Sequence, residues 1–450
     1  MALTGIQIYK LLPKTNCGEC GVPTCLAFAM NLAAGKADLS SCPYISEEAK
    51  TQLASASAPP ILPVTIGVGD SALKIGGETV LFRHEKTFVN KPGFAVLITD
   101  KMSEEEVDGR LKRFKEFQYE RVGLTLKPDL VAIKDTKGDK ERFVALINKA
   151  KEEKECSLIL MSDSVDVLAA GVKACAQRKP LIYAATKDNV EQLSTLAKEN
   201  SCPLAVRADN LEELGSLTTK LTEAGVKDLV LDSCSRTVKE AFQDQIFIRR
   251  SALLKKFRPL GFPTITFPCE MTDDKMKEAL IASLFVAKYG GIIVLSDFQG
   301  HSLFPLLIER MNIYTDPQRP MATKQGIYEI GSPKDDSPVL ITSNFSLTYF
   351  IVAGEIETSR VPSWLLVMDT EGLSIMTAWA AGKFVADAIA PFVKKSEITD
   401  KIKHRKLVIP GYAAAVSGEL EEELPDWKIE IGPREASHIP AYLKTSWKME

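Results

Sequence analysis

The sequence predicts a mixed α/β chain in three parts: a small cysteine-rich N-terminal domain, a central (β/α)8 barrel, and a C-terminal, doubly wound Rossmann-like sheet. Three observations predict it. Cys17, Cys20, Cys25 and Cys42 stand near the start in the spacing C-x2-C-x4-C-x16-C. Between Phe94 and Asn312, apolar runs recur roughly every 20 to 35 residues with helical periodicity between them, as buried parallel barrel strands do. Beyond a proline-rich break, further runs of this kind alternate with helical stretches.

The first domain, residues 1–58, opens with Thr4 as the cap of a helix reaching about Leu12, where Pro13 delivers the chain to the cysteine loop. Gly18 and Gly21 let the loop backbone bend close to what the thiols hold. Thr24 caps the next helix, whose Leu26, Met30 and Ala33 are expected on one face over the site, and Gly35 ends it before Cys42 returns. Three clustered thiolates and a distant fourth suit a 4Fe-4S cluster. Zinc is the runner-up, but structural zinc usually takes two C-x2-C knuckles or a Cys/His mixture, and this stretch has no His. Scattered core cysteines have no reason to crowd into a glycine-rich loop. A disulfide pair is disfavoured because Met1 to Lys14 carries no secretory leader. So small a domain has little core, and ligation is expected to be a folding requirement too.

Ser55-Ala-Ser-Ala-Pro-Pro-Ile-Leu-Pro63 reads as a semi-rigid linker, and the alternation around Gly67, Gly69, Gly76 and Gly77 as a short β-hairpin, so residues 59–92 form a linker and hairpin region. The barrel, 93–315, has strands expected from Ala95, Leu130, Leu158, Leu181, Leu204, Leu229, Ile265 and Ile292, the seventh bracketed by Pro263 and Pro268. Its runs end in Asp100, Lys134, Asp135, Ser162, Asp163, Arg207, Asp232, Ser233 and Asp297, on the face where barrel enzymes place catalytic groups. With no paired base or metal triad among them, they read as caps of the following helices, and no catalytic residue is assigned. The barrel is then a scaffold. Pterin-binding methyltransferases share this fold, but fold alone does not assign that activity.

Prolines between 315 and 338 mark the last boundary, and residues 316–450 form the third domain. Strands at Val339–Thr342, Leu365–Met368, Lys406–Ile409 and Trp427–Ile431 would make an open sheet that binds ligands beyond their carboxyl ends. There stand Thr342, Ser346, Thr370, Glu371, Gly372, Leu373, Ser374, Gly411, Tyr412, Gly432 and Pro433. Small residues there admit a flat macrocycle to the backbone, and helix N-termini at Ser374 and after Gly411 offer N–H groups. On spacing alone, ordinary strand-to-helix turns explain them as well.

Hydrophobic residues make up 45% and charged residues 26%, with a formal net charge of −3, a composition of ordinary globular proteins that gives no field for nucleic acid. No stretch reaches bilayer length. The most apolar helical stretch, Ile375 to Val393, contains Lys383 and Asp387. A cytoplasmic protein is expected, with Cys156, Cys175, Cys202, Cys234 and Cys269 as free thiols.

Thr4-Gly-Ile-Gln-Ile-Tyr-Lys-Leu-Leu-Pro13, Cys17-Gly-Glu-Cys-Gly-Val-Pro-Thr-Cys25 with Leu-Ala-Phe-Ala after it, Ser41-Cys-Pro-Tyr44, Gly77-Glu-Thr-Val-Leu-Phe-Arg-His-Glu-Lys-Thr-Phe88 and Asp369-Thr-Glu-Gly372 follow in order. Over its whole length the chain thereby resembles the large (gamma) subunit of the corrinoid iron-sulfur protein of anaerobic acetyl-CoA metabolism. The resemblance implies a cobalt corrinoid on the C-terminal residues named above and a 4Fe-4S cluster on the four cysteines. It implies a methyl carrier of the Wood-Ljungdahl pathway rather than a stand-alone enzyme. Methyl would pass from methyltetrahydrofolate, on a methyltransferase, through the cobalt to acetyl-CoA synthase, while the cluster relays the electron that returns Co(II) to Co(I). The implied partners are a small subunit in a heterodimer, the methyltransferase, acetyl-CoA synthase and a reductive activator. None of His84, His301, His404 and His438 lies in the D-x-H-x-x-G loop by which many corrinoid domains ligate cobalt, so a base-off cofactor without a protein ligand is expected. The alternatives are a self-contained pterin-dependent methyltransferase, and an electron-transfer or scaffold subunit without its own corrinoid.

Overall fold

A computed structural model describes residues 5–33, 37, 39–46, 49–50, 53, 58–82, 85, 88, 90–153, 156–316 and 320–447. The expected cap at Thr4, the helix stop at Gly35, the start of the linker at Ser55 and His84 lie outside the described residues. The chain divides into two compact units. One comprises Met1–Leu81, Asn90–Phe114 and Asp129–Ser302, the other Phe82–Val89, Lys115–Pro128 and Leu303–Glu450.

In the first unit, eight parallel strands form one sheet: β1 (Gly93–Thr99), β2 (Leu130–Lys134), β3 (Ser157–Met161), β4 (Leu181–Ala185), β5 (Leu204–Arg207), β6 (Leu229–Asp232), β7 (Ile265–Thr266) and β8 (Ile292–Leu295). The ladder runs β6-β5-β4-β3-β2-β1-β8-β7, and a bridge between Leu231 and Thr264 joins its ends into a barrel. These are the eight runs expected. They were legible because a strand buried on both faces has no polar side to show. β7 keeps only two residues, since Pro263 and Pro268 cannot donate to a ladder. The hairpin of Val64–Ile66 and Leu73–Ile75 plugs the end where the strands begin: Val64, Ile66, Leu73 and Ile75 share a core with Ala95, Leu130, Ile159, Leu181 and Ile292. That leaves the opposite end, where the strands finish, as the barrel's mouth.

The second unit holds five strands: β9 (Gly326–Ile330), β10 (Val339–Ser343), β11 (Ser363–Met368), β12 (Lys406–Ile409) and β13 (Lys428–Ile431), in the order β9-β11-β10-β12-β13. All pair in parallel except β9, which is antiparallel to β11. β9 was not expected; as a half-exposed edge strand it lacks the continuous apolar run of its neighbours. A second unforeseen piece is the hairpin of Tyr119–Arg121 and Leu124–Leu126, whose Tyr119 ring lies 4.9 Å from that of Phe304.

Helices Ser346–Ser359 and Ile439–Thr445 cover one face of this sheet through Ala353, Ile356, Ile439 and Leu443. Helices Ile375–Ala380, Ala386–Lys395 and Ser417–Glu423 cover the other. The sheet is therefore doubly wound. The single helix expected over Ile375–Val393 is two, because Gly382 takes a left-handed φ of 69° between them. Among the described residues no helix is long and apolar enough to cross a membrane.

Candidate functional sites

The four cysteines lie around one small core. Cys25 and Cys42 are buried among Ile8, Leu12, Phe28, Ala29 and Ile45, Cys20 packs against that cluster half-buried, and Cys17 is exposed. Thr24 caps the helix Cys25–Ala33 as expected, its hydroxyl accepting from Ala27 N at 3.1 Å. The expected inner face is wrong, however. Leu26 and Met30 are 46% and 56% exposed, and Cys25, Phe28 and Ala29 face inward instead. With Cys25 turned into the core at the first position of the helix, the next residue, Leu26, is rotated out.

Asn16 holds the loop to this helix from both sides. Its Oδ1 accepts from Cys25 N at 2.8 Å, and its own N–H points at Cys25 Sγ at 3.4 Å. Tyr44 donates to Glu19 Oε1 at 2.7 Å, tying the loop between Cys17 and Cys20 to the segment carrying Cys42. Gly18 and Gly21 have φ of 78° and 83°, and open space surrounds both, so their role is backbone conformation rather than clearance. Four thiols on one clasped loop and its return fit a thiolate-held cluster in donor chemistry. Among the described residues no three Cys, His, Asp or Glu side chains are drawn close enough to form a ready metal cage.

In the C-terminal sheet, β10 leads to β11 on one side and β12 lies on the other, which makes the ends of β10 and β12 the switch point where open α/β sheets bind ligands. A cleft of about 250 Å³ opens there, walled by Leu340, Ile341, Val352, Val408, Ile409 and Ile439. Of the residues expected at a ligand, Thr342, Ser374, Tyr412, Gly432 and Pro433 line it. Thr342 is 1% exposed and its Oγ1 has no hydrogen-bond partner among the described residues, a buried hydroxyl left open in the cleft wall. Ser374 lies at the start of Ile375–Ala380 without capping it; its hydroxyl meets Thr377 Oγ1 at 3.1 Å. Tyr412 donates to Glu435 Oε1 at 2.8 Å, which raises its pKa.

The other expected residues, Ser346, Thr370 to Leu373 and Gly411, do not line the cleft. Gly411 and Gly432 hold the two loops together: a Cβ on Gly411 would come within 2.6 Å of Gly432 O and 2.7 Å of Arg434 N. Ser346 is buried, with its N–H on Met321 O at 2.9 Å. Thr370, Glu371, Gly372 and Leu373 form a turn fastened by Asn344, whose Oδ1 accepts from Thr370 N, Thr370 Oγ1 and Gly372 N at 2.9 to 3.0 Å. Asn344 Nδ2 in turn donates to Asp369 Oδ1 at 2.9 Å. Thr348 and Met376 line the cleft without having been expected there, and the i, i+4 spacing of Thr348 and Val352 on one helix could have pointed to a shared face; Asn344 and Arg434 stand in the strand-end runs 342–346 and 432–434 expected at the ligand, but no contact was assigned to either.

At the barrel's mouth, the strand-end residues are not the helix caps they were read as. Capping falls to Asp139, Ser164, Asn210, Thr237 and Asp274, each closer to its helix. The strand-end residues bond one another instead. Arg236 grips Asp232 through Nη1 and Nη2 at 3.1 and 2.8 Å and Glu270 through Nε at 2.6 Å, while Lys134 reaches Glu270 Oε1 at 2.7 Å. Tyr183 donates to Asp232, and burial with that carboxylate beside it pushes its pKa well up. Asp135 accepts from Ser162 Oγ at 2.7 Å and Gly138 N at 2.8 Å, and Arg207 donates to Asp163 at 3.0 Å. Burial pushes the adjacent Cys269 thiol up to about 12. Lys134, Asp135, Ser162, Asp163, Tyr183, Arg207, Arg236 and Glu270 enclose a cavity of about 100 Å³.

Fold and sites together define a multidomain α/β protein with a thiol cradle near its start and a ligand cleft in its last sheet. Residues 63–443 match the family model of the CO dehydrogenase/acetyl-CoA synthase delta subunit, and residues 12–44 the model described as "Putative Fe-S cluster". The chain is 45% identical over 446 residues to the corrinoid/iron-sulfur protein large subunit of Moorella thermoacetica, covering 99% of each. It is 38% identical to the acetyl-CoA decarbonylase/synthase complex subunit gamma of Methanopyrus kandleri, covering 98% of this chain and 97% of that one. It belongs to this family of corrinoid/iron-sulfur protein large subunits, as the resemblance of its separated motifs implied.

Proposed function

We propose that the chain is a methyl carrier whose C-terminal domain, residues 316–450, holds a cobalt corrinoid and whose first domain, 1–58, holds a 4Fe-4S cluster on Cys17, Cys20, Cys25 and Cys42. The observation that carries the reading is the apolar cleft at the sheet's switch point with its unpartnered Thr342 hydroxyl, in a chain whose curated relative is named for a corrinoid and an iron-sulfur centre. Ligand pockets usually run from about 300 Å³ upward, so a cleft of about 250 Å³ takes part of a large cofactor rather than the whole. Thr342, Ser374, Tyr412, Gly432 and Pro433 would contact it. Thr370 to Leu373, fastened by Asn344, and Gly411 and Ser346 would hold those contacts in place.

When bound, the corrinoid supplies the cobalt that moves methyl from methyltetrahydrofolate, on a methyltransferase, to acetyl-CoA synthase, and the cluster supplies the electron that restores oxidised cobalt. This chain's residues contribute orientation and shielding. Among the described residues the cleft is lined by hydroxyls, apolar side chains and Arg434, and His404 is engaged with Ser337 O at 3.0 Å; a base-off cofactor held without a protein ligand is the reading that goes with such a wall. Residues 59–92 would join the cluster domain to the barrel of 93–315, a scaffold for the small subunit of a heterodimer, the methyltransferase, acetyl-CoA synthase and a reductive activator. The absence of any helix fit to cross a membrane among the described residues accords with a cytoplasmic site of action. An ultraviolet-visible spectrum of the anaerobically purified chain with its small subunit, with iron and cobalt assays, tests this. Iron and cobalt together are expected; iron without cobalt would leave an electron-transfer or scaffold subunit, and saturable methyltetrahydrofolate binding by this chain alone would favour a self-contained methyltransferase.

A further inference from the structure

The ion network at the barrel's mouth has no part in that function. Burying paired charges stabilises a fold less than apolar packing would, so a network of this size at the ligand-binding end of a barrel calls for a reason. Its remaining hydrogen-bonding capacity supplies one. The carboxylates are engaged: the buried Asp135 by Ser162, Lys137 and Gly138, the buried Asp232 by Tyr183, Cys234 and Arg236, and the more open Glu270 by Lys134 and Arg236. All three guanidinium nitrogens of Arg236 are taken as well. Among the described residues Lys134, by contrast, donates to Glu270 alone, and Arg207 is engaged with Asp163 and Tyr183 only, so both keep N–H groups to give. What the cavity still offers is donors, on two cations that are each about one-third exposed.

We propose that the barrel mouth binds a small oxyanion, a carboxylate or a phosphate, between Lys134 and Arg207. Glu270 and Asp232 are paired with Lys134 and Arg236, and Asp135 is held by the Ser162 hydroxyl and the backbone N–H groups of Lys137 and Gly138, so the anion is received on the far side, where Lys134 and Arg207 keep donors. The Asp163 side chain is 90% exposed, so its pairing with Arg207 is weak and gives way to a ligand. At about 15 Å³ per water-sized site, a cavity of about 100 Å³ takes on the order of seven non-hydrogen atoms, enough for phosphate or a short carboxylate and too few for a nucleotide.

Calorimetric titration of the full chain at low ionic strength, with inorganic phosphate and separately with acetate, tests this. Saturable binding of at least one is expected, and which of the two saturates identifies the ligand class. Arg207→Gln and Lys134→Gln should each weaken it about tenfold or more, as loss of a charge-assisted hydrogen bond does. Asp163→Asn, which releases Arg207, should tighten it, an effect a purely structural network would not produce. Because Lys134→Gln also strips a partner from Glu270 and could unfold the barrel, Arg207→Gln and the exposed Asp163→Asn carry the test by themselves. Failure of both anions to saturate the native chain and Asp163→Asn, or undiminished affinity in Arg207→Gln, overturns the proposal.

Discussion

The cysteine region gathers Ile8, Leu12, Phe28, Ala29 and Ile45 around two of its own proposed ligands, Cys25 and Cys42, whereas the C-terminal sheet buries a layer of apolar side chains on each face before any ligand arrives. In the first region Cys25 and Cys42 are themselves core residues, so the group they hold and the fold they belong to are one problem. In the second, the cleft is a by-product of strand order, and the residues that shape it are packed whether or not it is filled. Glycine serves the two differently. Gly18 and Gly21 supply left-handed backbone in open space, while Gly411 supplies clearance between two loops and has no need of a left-handed φ.

The sharpest way to break this comparison is to remove one thiol. Cys20 is only half-buried, so Cys20→Ala perturbs packing little, yet it should lose the iron and, with it, hydrogen-exchange protection over residues 5–46. Protection in the C-terminal sheet should not move. Retention of about four irons per chain would remove Cys20 from the ligand set, and loss of protection in both regions would mean the sheet is not self-sufficient.

Next in size are the glycines. Gly411→Val drives a side chain into backbone atoms that cannot yield cheaply, and should cost about 3 kcal/mol in denaturant unfolding of the C-terminal unit. Gly18→Ala meets nothing within 4 Å, and only its φ of 78° opposes it, so about 1 kcal/mol is expected. A reversal of that order would mean the roles of the two glycines have been exchanged.

Asn344→Ala tests how the cleft's rim is held. It strands the backbone N–H groups of Thr370 and Gly372, while the Thr370 hydroxyl keeps Leu373 O at 2.8 Å, and should cost about 2 kcal/mol. Exchange at Thr370 and Gly372 should quicken while β10 and β11 stay protected. No change at Gly372 would mean the turn holds itself.

What the sequence disclosed and what it hid divide along the same physical line. Barrel strands and β10 to β12 were legible because burial on both faces leaves an uninterrupted apolar run, β13 because Lys428, Ile429, Glu430 and Ile431 alternate polar and apolar along an edge, and the thiol spacing because ligand chemistry is written in residue types. Contacts made by side chains across distant turns leave no periodic trace. Asn344 reaches residues 26 and 28 positions away, and Arg236 finds Glu270 at a separation of 34, so neither the rim staple nor the mouth network could be read locally. Gly372 is a case between. Its small size suggested close approach of a macrocycle, but a φ of 74° and the nearness of Pro320 already require glycine, so a bulky substitution there would report on the turn before it reported on any cofactor.

The smallest expected effect belongs to Ser374, and it separates a structural from a cofactor role. As a helix cap its hydroxyl would be worth about 1 kcal/mol. Here it bonds no backbone N–H of Ile375–Ala380, meets only the Thr377 hydroxyl at 3.1 Å, and lines the cleft. Ser374→Ala should therefore lower stability by less than about 0.5 kcal/mol, as surface changes away from caps and cores do. In the cofactor-loaded complex the same change removes a hydroxyl from the cleft wall. The paramagnetic resonance of Co(II) should then shift while cobalt content stays constant. A lowered melting temperature with an unchanged resonance would return Ser374 to the cap, and would move the cobalt's neighbourhood away from the start of this helix.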